Sequence, residues 1–285
     1  MKVVIALGGN ALLERGEPPD SDIQESHVAR AAAALAPLLT DHDLVITHGN
    51  GPQVGVLAVE SAGDPSLAHP YPFDVLGAQT QGMIGYWLVQ ALGRAAPARP
   101  AACLICRTLV KADDPAFADP TKFVGPVYDE ATARRMAAER GWSVRPDGRA
   151  WRRVVPSPEP AALVELDMIE LLASRGVIVV CAGGGGIPVV ADDAGGLRGV
   201  EAVVDKDLTA AVLDGYGTPQ ARPIHRVTPG ELRACSFPAG SMGPKVEAAC
   251  RFAAATGGLA AIGRIEDAAA LLDGTTGTIV KTGER

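Results

Sequence analysis

The stretch Lys2-Val3-Val4-Ile5-Ala6-Leu7 runs directly into Gly8-Gly9-Asn10. Its continuous apolar, largely β-branched run describes a strand buried on both faces, and such strands belong to parallel sheets. The glycines describe the turn at its carboxyl end. Downstream the unit repeats. Residues 24–39 carry alanine and leucine at helical spacing. Residues 44–47 form a short apolar run ending in His48-Gly49-Asn50-Gly51. Residues 79–92 read as a second helix and 103–106 as a third strand. This order predicts a parallel sheet covered by helices.

Between residues 110 and 160 the pattern changes. Asp113-Asp114-Pro115, Asp119-Pro120, Gly125-Pro126 and Pro156-Ser157-Pro158 punctuate the chain, and Arg145-Pro146-Asp147-Gly148 is a hairpin signal. A small insertion is expected here, projecting from the main sheet, with its own hairpin and a helix over 131–140. The α/β rhythm then resumes. A helix is expected over 165–174, closed by Gly176, and a strand over 177–182 that ends in Gly183-Gly184-Gly185-Gly186. Residues 200–204 read as a further strand leading to Asp205-Lys206-Asp207 and a helix start. Residues 240–245 open a helix to about Thr256, and late strands are expected over 259–262 and 278–280.

One place breaks the rhythm. The helix after Asp207 stops near Leu213, at Asp214-Gly215-Tyr216-Gly217. That is under two turns, and no convincing strand follows. A crossover to a parallel strand needs about a dozen residues or more.

Composition narrows the function classes. Of 285 residues, 47% are hydrophobic, enough for a sizeable core, which excludes a disordered linker. Aromatic residues are only 4%, which argues against a module that stacks single-stranded bases. A net charge of −7 and a pI near 5.3 argue against bulk nucleic-acid or anionic-membrane binding. No apolar run approaches the ~20 residues that span a bilayer, and the amino-terminal run is short for a signal segment. The expectation is a soluble, cytoplasmic protein. Five scattered cysteines fit a reducing compartment. Cys103 and Cys106 form a lone CxxC within an apolar strand, where residues three apart face opposite sides and do not chelate one metal. The five histidines lack HxxxH or HxH spacing, so no protein metal site is expected.

Four glycine-rich loops follow expected strands, around Gly8-Gly9, Gly49-Asn50-Gly51, Gly183–Gly186 and Gly240–Gly243. In an open α/β sheet, ligands bind at the carboxyl ends of the strands. Glycines there let backbone N–H groups approach an anion. One such loop is ordinary turn chemistry, whereas four point to a polyanionic ligand. No GxxxxGK[ST], GxGxxG after the first strand, or GxSxG occurs. Lys206 lies between two aspartates at a strand end, Lys245 starts a helix after a glycine loop, and Lys122 sits in the insertion. Lysines so placed fit either solvated surface positions or cations on a moving phosphoryl group. Asp207 fits either a helix N-cap or a group that orients the lysines or a magnesium shell.

These stretches together resemble the carbamate kinases of the amino-acid kinase superfamily. The matching pieces are ALGGNAL (6–12), THGNGPQVG (47–55), DVLGAQTQGMIGYW (74–87), DDPAF (113–117) and PTKFVGPVY (120–128). RRVVPSPEP (152–160), CAGGGGIP (181–188), GVEAVVDKDL (199–208) and FPAGSMGPKV (237–246) complete the set. The resemblance implies one domain over 1–285, an open three-layer αβα sandwich with a mainly parallel central sheet. A small protruding subdomain is implied at about 111–155, a carbamate-side half over about 1–175 and a nucleotide-side half over about 176–285. It implies reversible phosphoryl transfer between ATP and carbamate, giving ADP and carbamoyl phosphate, with Mg2+. It further implies an ATP-forming role in arginine catabolism and a homodimer. Carried over by motif, Gly8, Gly9, Asn10 and Gly243 hold phosphate, and Gly49, Asn50 and Gly51 hold the carbamate side. Lys122, Lys206, Asp207 and Lys245 are the catalytic set. Tyr216, Met242 and Lys245 contact the nucleotide.

The chain departs from the family after Leu213, where the family extends its helix and adds a strand ending in a nucleotide-holding loop. Three explanations compete: a disordered segment missing from the sequence, a natural or engineered deletion, and a rearrangement. The first is favoured, because removing an internal strand exposes apolar neighbours and orphans backbone groups. The alternative function is a nucleotide-site-defective relative that binds or regulates.

Overall fold

The computed structural model describes residues 2–14, 16–192, 194–204, 213–214, 222–223, 226–235, 237 and 242–282. Its first half alternates strand and helix as the apolar rhythm predicts. The elements are β1 (Lys2–Leu7), α1 (Ser21–Leu35), β2 (Asp43–His48), α2 (Gly51–Gly63), α3 (Phe73–Ala95), β3 (Ala101–Cys103) and β4 (Arg107–Val110). The insertion follows as β5 (Lys122–Tyr128), α4 (Glu130–Arg140), β6 (Ser143–Asp147) and β7 (Ala150–Val155). Then come β8 (Pro160–Leu163), α5 (Leu166–Ser174), β9 (Ile178–Val180), β10 (Ile187–Ala191) and β11 (Leu197–Gly199). The remaining elements are β12 (Leu213–Asp214), β13 (Arg222–Pro223), β14 (Arg226–Val227), α6 (Pro229–Arg233), α7 (Met242–Thr256), β15 (Ala260–Ile262), α8 (Ala268–Leu272) and β16 (Thr278–Val280).

The sheet that positions the candidate site has the order β1-β2-β9-β3, with every pairing parallel. Alternation along the strands divides the core between its two faces. Leu44 and Ile46 of β2, with Ile178 and Val180 of β9, face α1 and α3 in the main core, alongside Leu35, Ile84, Leu88 and Leu92. Val45 and Val179 point the other way, to Ile169 and Ala173 of α5. Helices on both faces give the three-layer αβα arrangement. A second sheet, β11-β10-β4-β8, continues it at the carboxyl side of β3 and β9, and β14-β16-β15 forms a third.

Arg99 closes the amino-terminal side of the sheet, away from the glycine loops. Its guanidinium donates to the carbonyls of Leu39 (2.7 Å), His42 (2.6 Å) and Gly176 (2.8 Å). Charge-assisted bonds to carbonyls are worth more than neutral ones. Arg99→Ala is expected to lower stability by about 2 kcal/mol while leaving catalytic rate intact, checked by denaturant melts beside steady-state assays.

Four expectations need correction. Residues 200–204 join no strand. Glu201 accepts from the Phe73 N–H (2.8 Å), Val203 N–H donates to Pro156, and Ala202 and Val204 are buried by packing. Residues 103–106 are not one strand: β3 ends at Cys103, because both backbone groups of Cys106 are held by the Gln81 side chain (2.8 and 3.1 Å). The chain passes there from β9 to β10, with Leu104 N–H on Val180 and the Cys106 carbonyl accepting from Ile187. Helix α2 was not anticipated at all. Lastly, β1 is not covered on both faces, since Val4 is 64% exposed.

Candidate active site at the carboxyl ends of the strands

The ends of β1 and β2 lie together because the two strands pair in register from Lys2↔Asp43 to Leu7↔His48. Past that register, Gly49 N–H donates to the Leu7 carbonyl (2.8 Å), and the two glycine turns touch backbone to backbone. A Cβ on Gly49 would lie 3.0 Å from Gly9 N and 3.4 Å from Gly9 Cα. The absence of side chains therefore lets the expected phosphate and carbamate loops meet. After Gly8 the chain turns at once into a single 3-10 turn, Gly9–Ala11, which contains Asn10.

The next layer comes from β9. Its strand ends in Ala182, the one non-glycine residue with positive φ among the described residues (φ 50), and Gly184, Gly185 and Gly186 continue at φ 64, 90 and 86. Such backbone is favourable only for glycine. The run is also boxed in. A Cβ on Gly183 would lie 2.3 Å from the His48 ring, and one on Gly184 would lie 2.2 Å from Asn50 Nδ2. On Gly185 it would meet the Val204 carbonyl at 2.7 Å. Thr47 Oγ1 donates to the Ala182 carbonyl and Thr108 Oγ1 to that of Gly185. Gly183–Gly186 thus packs against the β2 loop rather than standing apart from it.

Asn50 precedes α2 but does not cap it. Its amide donates instead to Thr80 Oγ1 on α3 (2.9 Å), and no side chain caps the helix. Pro52 has no N–H to lose. The first-turn N–H groups and the positive end of the α2 dipole face the loop, a suitable seat for a small anion. Thr80 and Gln81, at 0% and 1% exposure, escaped the sequence reading as site-supporting residues. Their signal was the polar run Gln79-Thr80-Gln81 in the middle of a largely apolar helix.

Lys122 is the first residue of β5, half-buried and opposite Val155 of β7. The subdomain carrying it, the antiparallel sheet β5-β7-β6 with α4, is docked firmly on the body. Val124 and Val155 pack with Val54, Phe73 and Leu76. Gly55 of α2 meets Gly125 of β5, with a Cβ on Gly55 placed 3.2 Å from Gly125 Cα. Arg153 of β7 lies over the rings of Phe73 (4.7 Å) and Trp142 (4.6 Å) and pairs with Glu201 (2.8 Å). Burial pushes the Arg153 guanidinium down from its usual range, and Glu201 opposes that shift.

Gly243 and Lys245 lie in the first turn of α7, both half-buried. Met242 begins that helix, and its side chain is buried at 3% exposure among Leu232, Val246 and Cys250. Helix α7 is tied to α6 by Glu247, which bonds Arg233 and Arg251 and is held down to about 2 by them. Lys206, Asp207 and Tyr216 lie outside the described residues. Among the described residues, no three His, Cys, Asp or Glu side chains form a group that would hold a metal. Cys106 does not pair with Cys103. A hydrogen bond from Cys181 holds its thiol down, while burial pushes Cys103 up.

The amino acid kinase family model matches residues 1–262. The chain is 48% identical over 305 residues to a carbamate kinase of Rhizobium meliloti, covering 99% of this chain and 94% of that one. It is 44% identical to a carbamate kinase of Haemophilus influenzae, covering 98% and 96%. The chain belongs to the carbamate kinases. Among solved structures, the carbamate kinase of Giardia lamblia bound to AMP-PNP superposes with a TM-score of 0.90 at 36% identity, covering 99% of this chain and 98% of that one. The Rhizobium alignment is 20 residues longer than the 285-residue chain, so at least 20 residues of that relative have no counterpart here.

Proposed function

We infer that the protein catalyses reversible phosphoryl transfer between ATP and carbamate, forming ADP and carbamoyl phosphate. The observation that carries this reading is the backbone contact of Gly9 with Gly49, which puts two glycine loops at adjacent strand ends. One loop suits the nucleotide phosphates and the other the carbamate. Carbamate is a small planar anion whose oxygen is already ionised, so attack needs no general base. A carbamate oxygen bonds to the γ-phosphorus, the bond to the bridging oxygen breaks, and ADP leaves with that electron pair. The main barrier is repulsion between two anions. Backbone N–H groups and the ammonium groups of Lys122, Lys206 and Lys245 act against it. Asp207 orients the lysines. Asn10, Gly243, Tyr216 and the Met242 segment complete the phosphate and nucleotide contacts in this reading. Magnesium carried by the nucleotide would supply further shielding of its phosphate charge.

The same reading assigns a cytoplasmic homodimer that makes ATP during arginine breakdown. Among the described residues no helix is long and apolar enough to cross a membrane. Acceptor selectivity tests the substrate assignment. At equal ATP, carbamate is expected to be phosphorylated well ahead of acetate, aspartate or a nucleoside monophosphate. Preference for one of those acceptors would replace it.

The shortfall of at least 20 residues supports a second reading, a nucleotide-site-defective relative that binds or regulates. Intact mass separates the two. A mass of 29.3 kDa for the natural protein favours the second, and a mass greater by a helix and a strand removes it.

A further inference from the structure

The subdomain that carries Lys122 meets the body through a buried cation as well as through apolar packing. On β7, Arg153 and Val155 lie two residues apart and so share one face. Their register partners on β5 are Val124 and Lys122. Val124 and Val155 pack on Val54, Phe73 and Leu76, so this face is turned to the body. Arg153 and Lys122 are diagonal neighbours on it. The Arg153 side chain is only 18% exposed, and its guanidinium lies over the rings of Phe73 on α3 and Trp142 beyond α4.

Glu201 reaches this cation from outside the subdomain. One carboxylate oxygen accepts from Arg153 Nη2 (2.8 Å) and the other from the Phe73 N–H (2.8 Å). Phe73 is the first residue of α3, and Pro72 at the N-cap position makes no side-chain bond to the helix. Glu201 therefore places a negative charge at the positive end of α3. The segment that carries it is anchored in turn. Val200 N–H donates to the Pro188 carbonyl and Val203 N–H to that of Pro156. At Gly199 the Asp74 carboxylate leaves no room for a Cβ. One carboxylate thus joins the start of α3, the helix that carries Thr80 and Gln81, to the strand that pairs with the Lys122 strand. An exposed ion pair would contribute little. This cation is stacked and desolvated, so losing its partner leaves a buried charge unpaired.

We propose that Arg153 and Glu201 are positioning residues for phosphoryl transfer: their ion pair fixes the Lys122 strand against the start of α3 and so sets where the Lys122 ammonium stands. The proposal rests on the kinase reading of Lys122. Both residues act through Lys122 and not on the substrates.

The test is a kinetic cycle beside amide exchange, on the full chain. Arg153→Met keeps much of the packing, and Glu201→Gln keeps an acceptor for the Phe73 N–H. Each is expected to lower kcat for ATP formation by about ten- to a hundredfold, the effect of a displacement near 1 Å. KM for ADP should stay within about twofold, because the nucleotide contacts are untouched. The double variant should lose no more than the worse single one. In a Lys122→Ala background neither substitution should lower kcat further. An equal loss in that background, or losses that multiply in the double variant, would overturn the proposal. Amide exchange over residues 122–124 is expected to quicken in both variants while β2 and β9 keep wild-type exchange. Unchanged exchange over 122–124 also overturns it, with or without turnover. If the wild-type chain forms no ATP, the kinase reading fails by itself, and faster exchange in the variants still identifies the pair as the tie on the Lys122 strand.

Discussion

Lys245→Ala is expected to lower kcat by roughly two to three orders of magnitude, the usual loss when one stabilising contact to a transition-state charge is removed. Thermal stability should barely move. The apolar face of α7 is built from Met242, Val246, Ala249, Cys250 and Ala253, so truncating the half-buried Lys245 opens no core cavity. Repulsion between carbamate and the γ-phosphoryl group is greatest as the two close, so the ammonium acts more on kcat than on the KM for carbamate. Steady-state kinetics in both directions beside thermal melts check this. Wild-type turnover in the variant would remove Lys245 from the chemistry.

Gly184→Ala is expected to damage both fold and activity. Alanine at φ 64 costs about 1–2 kcal/mol by itself. The new methyl group would also stand 2.2–2.5 Å from the Asn50 amide, and overpacking of this kind costs about 1–3 kcal/mol. Relief requires Asn50 to leave Thr80, which moves the first turn of α2 and the anion seat with it. Loss of about 2–5 kcal/mol in stability should accompany loss of activity at temperatures where the variant is still folded. Gly93→Ala is the control. It lies in α3 with open space at its Cβ, and helix propensity alone should stabilise it by up to about 1 kcal/mol. Equal behaviour of the two variants would show that the turn at Gly184 is not hemmed in by Asn50 as its contacts imply.

Local signals made much of this arrangement readable before the structure. The β1 run and its glycines, the strand before Gly183, the Pro146-Asp147-Gly148 hairpin and the α4 helix each combine a strong periodicity with a definite stop. Helix α2 was illegible because Gly51, Pro52, Gly55 and Gly63 read locally as loop. Gly55 is there for a tertiary reason, the close approach of Gly125, which no local pattern encodes. The run over 200–204 misled in the opposite sense. A buried segment is apolar whether or not it joins a ladder, and Ala202 and Val204 are buried by packing. The meeting of the Gly8-Gly9 and Gly49–Gly51 turns was legible because each follows a strand of the parallel pair. The role of Gly183, Gly184 and Gly185 in making room for His48, Asn50 and Val204 emerges only once the strand ends are placed side by side. The supporting residues Thr80, Gln81 and Thr108 act on backbone and side chains distant in sequence, so the polar run in α3 marked a special position without revealing its partners.

Phosphoryl transfer with carbamate as the acceptor is the activity assigned to this sheet end. Its most direct test supplies the purified chain with carbamoyl phosphate, ADP and magnesium and measures ATP by a luminescent assay. Steady ATP formation that disappears in Lys245→Ala is the predicted result. Folded protein that forms no ATP above the protein-free background would contradict the account.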